Sequence, residues 1–194
     1  PVTRAAPIPT KRSSRARTRL YASARRTASR TQQTRAIGGS SSRQPVPATS
    51  YLKSELTEGR WRIYSDNIAM ARWLQSTVQG MLNAELSDTT IPCADAQFSK
   101  AGDPRYFWTE HIRSHGEDIS LTWFDIGEPL LIHSQPNQIP NRRYGVCTVL
   151  IPALGTRLVR NGAEAKGRSW PREREGRPFS TSALAFSESW TEAV

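Results

Sequence analysis

The chain of 194 residues carries 27 Lys and Arg against 17 Asp and Glu, a formal net charge of +10 at pH 7. No apolar run approaches the roughly 18 residues of a membrane-spanning helix, so we expect no membrane partner. Cys93 and Cys147 lie far apart and form no CxxC motif. This spacing argues against a disulfide framework or a zinc site and predicts two buried free thiols.

The positive charge is concentrated at one end of the chain, where twelve basic residues and no acidic ones precede Glu55. They are Arg4, Lys11, Arg12, Arg15, Arg17, Arg19, Arg25, Arg26, Arg30, Arg35, Arg43 and Lys53. The remaining chain holds 15 basic and 17 acidic residues, so it is nearly neutral.

Composition divides the chain into three parts. Residues 1–35 combine Arg, Ser, Thr, Ala and Pro with a single aromatic residue, Tyr21, and cannot bury enough apolar surface to offset the entropy of folding. We therefore predict a disordered basic arm. Residues 36–50 are rich in Gly, Ser and Pro, as linkers are. Residues 51–194 contain all six Trp and all five Phe, which predicts one folded domain.

The folded part opens with a mixed stretch, 51–64, and continues with the clearest helix of the sequence, at about 66–86. Ser65 or Asp66 is placed to cap this helix. Its apolar residues recur at helical spacing, which predicts a stripe packed in the core. They are Met70, Trp73, Leu74, Val78, Met81, Leu82 and Leu86.

After Asp88 the apolar period shortens towards two, and turn residues recur about every eight to twelve positions. This pattern favours a mainly β fold, an antiparallel sandwich or barrel with one prominent helix. The predicted strands are 92–98, 105–113, 119–126, 129–134, 144–151, 156–160 and 178–186. The predicted turns are Gly127-Glu128-Pro129, Pro152–Gly155 and Asn161-Gly162, and the predicted loops are 135–143 and 163–177.

No catalytic pattern stands out, because the chain lacks a P-loop, GxGxxG, GxSxG and HExxH. His111 and His115 lie on a predicted strand that runs into a turn, about 13 Å apart, too far to share a metal ion. Ser180-Thr181-Ser182 superficially resembles the STS element of ADP-ribosylating toxins, but in that pattern the paired glutamates lie well downstream, unlike Glu188 and Glu192. We expect no enzymatic activity, no cofactor and no metal.

A second set of basic residues lies in the folded part. Glu164, Glu173 and Glu175 interleave with several of its members, and alternating charge favours a solvated loop over a phosphate-binding surface. The set is Arg142, Arg143, Arg157, Arg160, Lys166, Arg168, Arg172, Arg174 and Arg177.

The basic arm predicts binding to nucleic acid, with RNA favoured. Arg outnumbers Lys ten to two among the twelve residues, and a guanidinium stays charged and binds phosphate in bidentate fashion. Because Tyr21 is the only aromatic residue there, we expect electrostatic, sequence-independent binding with little base stacking. The predicted binding residues are the eleven from Arg4 to Arg43. If all twelve charges contact single-stranded RNA, the log–log salt slope is on the order of −8.

In organisation, the chain resembles the coat proteins of small icosahedral RNA viruses, which have an Arg-rich arm, a Gly/Pro linker and a β-rich shell domain. The resemblance implies a jelly-roll-like domain that self-assembles into a virion, with the arms neutralising packaged RNA. One alternative is a ribosomal or other ribonucleoprotein component of the cytoplasm or an organelle, whose extension threads into rRNA. Another is an organellar enzyme behind an Arg- and Ser-rich transit peptide.

Overall fold

The computed structural model describes residues 21–23, 48–138, 144–185 and 188–192. It confirms a mainly β fold with one helical region, built on a curled sheet that forms a half-barrel. The strands are β1 (Tyr21–Ser23), β2 (Thr49–Leu52), β3 (Arg62–Ser65), β4 (Cys93–Asp103), β5 (Phe107–Ser114), β6 (Glu117–Ile126), β7 (Leu130–Ser134), β8 (Tyr144–Arg160), β9 (Ala163–Glu164), β10 (Pro171–Arg174), β11 (Arg177–Ser180), β12 (Ala183–Leu184) and β13 (Glu188–Glu192).

One sheet contains every strand except β10 and β11, which pair only with each other. The sheet runs in the order β1-β2-β3-β4-β5-β6-β8-β12, and β7, β9 and β13 also pair with β8. In the described ranges, β3 and β4 are the only parallel pair. Chain neighbours are therefore mostly sheet neighbours, which differs from the Greek-key order of a jelly roll.

The inner face of the half-barrel holds the main core. Successive side chains of a strand point to opposite faces, so alternate residues of β5, β6 and β8 face the interior. Ile112, Ile119, Trp123 and Leu158 are each 2% exposed or less. Burying one such side chain stabilises the fold by about 1.5–3 kcal/mol. The strands predicted at 105–113, 119–126 and 129–134 are confirmed as β5, β6 and β7, with small shifts at their ends.

The single helix predicted at about 66–86 is wrong in detail. The region contains α1 (Ile68–Leu74), a π-helical segment (Gln75–Gln79), the short α2 (Gly80–Leu82) and a 3₁₀ turn (Ala84–Ser87). Of the predicted apolar stripe, Leu74, Val78 and Leu86 are buried, whereas Trp73 and Met81 are exposed.

Polar side chains account for the start of this region and its change of helix type. Asn67, rather than Ser65 or Asp66, caps α1, because its side chain accepts the Met70 N–H at 3.0 Å. Ser65 belongs to β3 and is fully buried. At the end of α1, the Ser76 hydroxyl bonds to backbone carbonyls one turn earlier, a contact that competes with regular helical bonding.

The turn predicted at Pro152–Gly155 is also wrong, because the predicted strands 144–151 and 156–160 form one strand, β8. In the middle of β8, backbone groups form hydrogen bonds with residues outside the regular strand pairing. The Pro152 carbonyl accepts the Gly127 N–H at 2.8 Å, and the Ala153 N–H donates to Ser182 at 3.0 Å. The ring of Phe124 lies where a Cβ on residue 155 would stand, so glycine is required there for packing.

Most of the predicted disordered arm, 1–35, and of the predicted linker, 36–50, lies outside the described residues. The exception in the arm is β1, which pairs antiparallel with Thr49–Tyr51 of β2. Thr49 and Ser50 belong to β2 and are buried, so the linker boundary predicted at residue 50 is too late.

A partly buried polar cluster joins β3, β6 and β8 at one end of the half-barrel. Arg160 donates to the Glu117 carboxylate and to the Leu56 carbonyl, and Arg62 lies 3.4 Å from the same carboxylate. Burial alone would raise the pKa of Glu117, but Tyr64, Arg160 and Arg62 lower it below its ordinary value. Burial and the adjacent Glu117 raise the pKa of Tyr64. The cluster therefore depends on an ionised Glu117.

We expect Glu117→Gln to lower the free energy of unfolding at neutral pH by about 2 kcal/mol, because hydrogen bonds to a charged group are lost. Folding lowers the pKa of Glu117, so its contribution is complete above the ordinary glutamate pKa and is lost as pH falls through the folded value. Denaturant titrations of both proteins at neutral and acidic pH measure this. Glu164→Gln, which removes an exposed ion pair with Arg157, is the control and should cost under about 1 kcal/mol. A pH-independent difference between Glu117→Gln and wild type would contradict the assignment.

Candidate nucleic-acid interface

The eleven predicted binding residues from Arg4 to Arg43 lie outside the described residues, so their role stays a prediction. Lys53, the twelfth basic residue before Glu55, belongs to the folded domain. Its ammonium contacts the Glu85 carboxylate and lies 5.7 Å from the centre of the Trp61 ring. Its charge is therefore neutralised within the domain.

The second basic set separates into different environments. Arg142 and Arg143 lie outside the described residues. Arg157 and Arg160 project from β8 and pair with carboxylates, Arg157 with Glu164 at 2.8 Å. The remaining members, Lys166 to Arg177, lie in or next to the two-stranded sheet of β10 and β11.

The loop predicted at 163–177 is wrong, because this region contains β9, β10 and the turn of a β10–β11 hairpin. Glu175 and Gly176 both have positive φ, 54° and 71°, as the central residues of a type I′ turn require. The hairpin is attached to the middle of β8. Ser180 Oγ donates to the Ala153 carbonyl at 2.7 Å, and Ser169 donates to the Leu154 carbonyl.

One face of this hairpin carries most of its arginines. Alternate residues of an extended strand share a face, so Arg172 and Arg174 lie on the same side of β10. Phe179 and Arg177 stand directly opposite them on β11. Trp170 continues the series, since its backbone bonds to Thr181 in the next opposite position. We call this surface the arginine face: Arg168, Trp170, Arg172, Arg174, Arg177 and Phe179.

Aromatic rings position the guanidinium groups of the arginine face. The Arg168 guanidinium lies 4.0 Å from the centre of the Trp170 ring. Arg172 and Arg174 lie 5.3 Å and 5.8 Å from the centre of the Phe179 ring, which is only 4% exposed. Each such contact contributes about 0.5–1 kcal/mol at an exposed site. Ring contacts therefore position three of the four arginines, Arg168, Arg172 and Arg174.

Carboxylates do not neutralise this surface as they do elsewhere. Within the described ranges, Arg168, Arg172 and Arg177 form no ion pair, and Arg174 has only Glu175, at 3.8 Å. Like charges facing each other across a hairpin are destabilising, as for Arg174 and Arg177. An external anion would relieve this repulsion, and the guanidinium groups suit phosphate oxygens.

A comparable surface arginine shows the usual arrangement. Arg105 lies 2.5 Å from the Asp103 carboxylate and 5.7 Å from the centre of the Tyr106 ring. Hydrogen bonds from Arg105 lower the pKa of Asp103 to about 2. This arginine also lies near an aromatic ring, at a longer distance than Arg168, but the Asp103 carboxylate balances its charge.

The serine motif and the histidines have ordinary structural surroundings. Ser180 and Ser182 are buried, and Ser182 Oγ accepts the Trp123 indole N–H at 3.1 Å. His111 lies on β5 and His115 in the following turn, as predicted. Among the described residues, no group of three or more His, Cys, Asp and Glu is arranged to hold a metal ion.

The prediction of two buried thiols is wrong. Cys93 on β4 is half-buried, and Cys147 on β8 is exposed. The strands β5 and β6 separate β4 from β8 in the sheet. Burial raises the pKa of the Cys93 thiol, and the charge of Arg72 opposes that effect.

Comparison with protein-family models, curated proteins and solved structures finds no match to this chain. Across the part of the chain that the structure describes, no helix is long and apolar enough to span a membrane.

We expect the double substitution Arg172→Gln and Arg177→Gln to weaken binding of the full chain to polyuridylate. Losing two phosphate contacts should make the log–log salt slope shallower by about 1.4, from about 0.7 per contact. Fluorescence anisotropy over a salt series measures the slope. The control is Arg105→Gln with Arg113→Gln, two arginines paired with Asp103 and Asp118. Equal slopes for the two double variants would rule out the arginine face as a phosphate site.

Proposed function

We propose that this protein is a structural nucleic-acid-binding protein that packages RNA, as a viral coat protein does. The observation that carries the proposal is the separation of charge. Every basic residue from Arg4 to Arg43 precedes the first acidic residue, whereas the chain from residue 55 onward is nearly neutral. A near-neutral domain can pack against copies of itself while tethered cations reach the nucleic acid.

The arginine face supports the same function from within the folded domain. Its arginines lack strong ion pairs and lie on one side of a hairpin that is fixed to β8. Contacts from such groups to phosphate are independent of sequence and release counterions. A packaging protein needs this kind of binding, because it must cover RNA of any sequence.

Self-assembly in a virion is the second part of the proposal. Exposed apolar side chains on the outer face of the sheet, Phe107 and Phe124, are suited to contacts between copies. The order of strands is not that of a jelly roll, so the proposal depends on the charge organisation rather than on a shared topology.

A ribonucleoprotein component, ribosomal or other, is the alternative. The β10–β11 hairpin, called the arginine hairpin from here on, favours this alternative. Its two strands are not part of the main sheet, and they present basic residues to the solvent. Such a protein would join a heterogeneous particle as a single copy. The two functions therefore differ in the mass of the assembly.

The arm can be tested by replacing the eleven basic residues from Arg4 to Arg43 with Gln, which keeps Tyr21–Ser23 in place. We expect the log–log salt slope of polyuridylate binding to become shallower by about 8, while the thermal unfolding of the domain stays unchanged. A variant in which Lys replaces the ten arginines from Arg4 to Arg43 is the charge-matched control, and it should retain most of the slope. Unchanged RNA affinity in the Gln variant would refute the role of the arm.

Assembly can be tested on the full chain by size-exclusion chromatography with light scattering, with and without RNA. The coat function predicts large particles of this chain with RNA. A protein that stays monomeric on RNA at every protein-to-RNA ratio would exclude the coat function and favour the ribonucleoprotein alternative.

A further inference from the structure

Trp170 is an exposed aromatic residue directly before β10. Its side chain is 46% exposed, and it stands at the base of the arginine hairpin. Its backbone is held by two hydrogen bonds with Thr181, each 2.9 Å, so the ring projects from a fixed strand position. The adjacent Ser169 hydroxyl bonds to the Leu154 carbonyl and ties this segment to β8.

The Arg168 guanidinium lies over one face of this ring and adds a second planar group to it. It lies 4.0 Å from the ring centre, which is a stacking distance, and it has no ion pair within the described ranges. Unpaired bases stack on both aromatic side chains and guanidinium planes. Arg172, two residues after Trp170 and on the same face of the hairpin, adds a positive charge that suits the phosphate of a stacked nucleotide.

Three other exposed aromatic residues, Tyr106, Phe107 and Phe124, lack one or both features. Phe107 and Phe124 lie over Gly102 and Gly155 of neighbouring strands, where they cover backbone. Tyr106 has an arginine over its ring, but Asp103 neutralises that arginine. At Trp170, by contrast, an exposed ring meets an arginine that has no ion pair within the described ranges.

We infer that an unpaired base of single-stranded nucleic acid stacks on the Arg168–Trp170 pair, an inference that rests on the proposed binding of RNA. The surrounding arginines contact the flanking phosphates. This assigns base stacking to the folded domain, whereas the sequence of the arm predicts little of it. The protein therefore prefers single-stranded segments to duplex, whose bases are already stacked.

The test compares two probes with the same number of phosphates: a short oligoadenylate and an abasic oligonucleotide. We expect Trp170→Leu to weaken binding of the full chain to oligoadenylate by about 5- to 150-fold, the range typical of one stacked base. Binding to the abasic probe should not change. Arg168→Lys keeps the charge but removes the planar group, so it should weaken oligoadenylate binding selectively and by less.

Tyr106→Leu is the matched control, because it removes an exposed ring beneath a neutralised arginine and should affect neither probe. Thermal unfolding of each variant checks that the fold is intact. If Trp170→Leu weakened both probes equally, or neither, stacking at this site would be overturned. If the wild type bound both probes equally, stacking would fail while RNA binding stood. If the wild type bound neither probe, the proposed function itself would fail.

Discussion

Backbone pairing along β8 is the interaction on which the rest of the structure depends. Its first half pairs with β7 on one edge and β13 on the other, and its second half pairs with β6. On the edge of β8 opposite β6, β12 pairs at Pro152 and β9 pairs at Arg160. Because both edges are occupied, β8 joins elements that are distant in sequence, and its carbonyls at Ala153 and Leu154 hold the arginine hairpin. Loss of pairing at that point would release both the core and the hairpin.

The arginines of the domain fall into two groups, those that form an ion pair with a carboxylate and those that do not. Arg105, Arg157 and Arg160 each form an ion pair with a carboxylate, which neutralises most of their positive charge. On the arginine face, aromatic rings take the place of carboxylates, so the guanidinium groups are held in position without being neutralised. This difference, rather than the number of basic residues, distinguishes a surface suited to phosphate from an ordinary charged surface.

The parts of the fold that local patterns govern were predictable. Alternating residues specify β5 and β6, and Asn161-Gly162 forms the predicted turn between β8 and β9, with φ of 51° and 80°. The interruption of the helix was not predictable, because it depends on side-chain contacts such as the hydrogen bonds of the Ser76 hydroxyl and the packing of Ser87 against Gly80. The unbroken β8 was not predictable either, because its Ala153 N–H donates in mid-strand to the carbonyl of Ser182, which lies far along the chain. The arginine face had a signal that alternating charge obscured: Arg168, Trp170, Arg172 and Arg174 recur at a spacing of two.

By itself, the sequence determined the class of the fold, the division of charge between the first residues and the domain, and the nearly neutral balance after Glu55. These follow from composition and short periods, which act through neighbouring residues. Only the tertiary structure decided which basic residues are neutralised and which are not. Ion pairs join residues far apart in the chain, as in Arg160 with Glu117 and Lys53 with Glu85. Strand pairing across the sheet sets those distances.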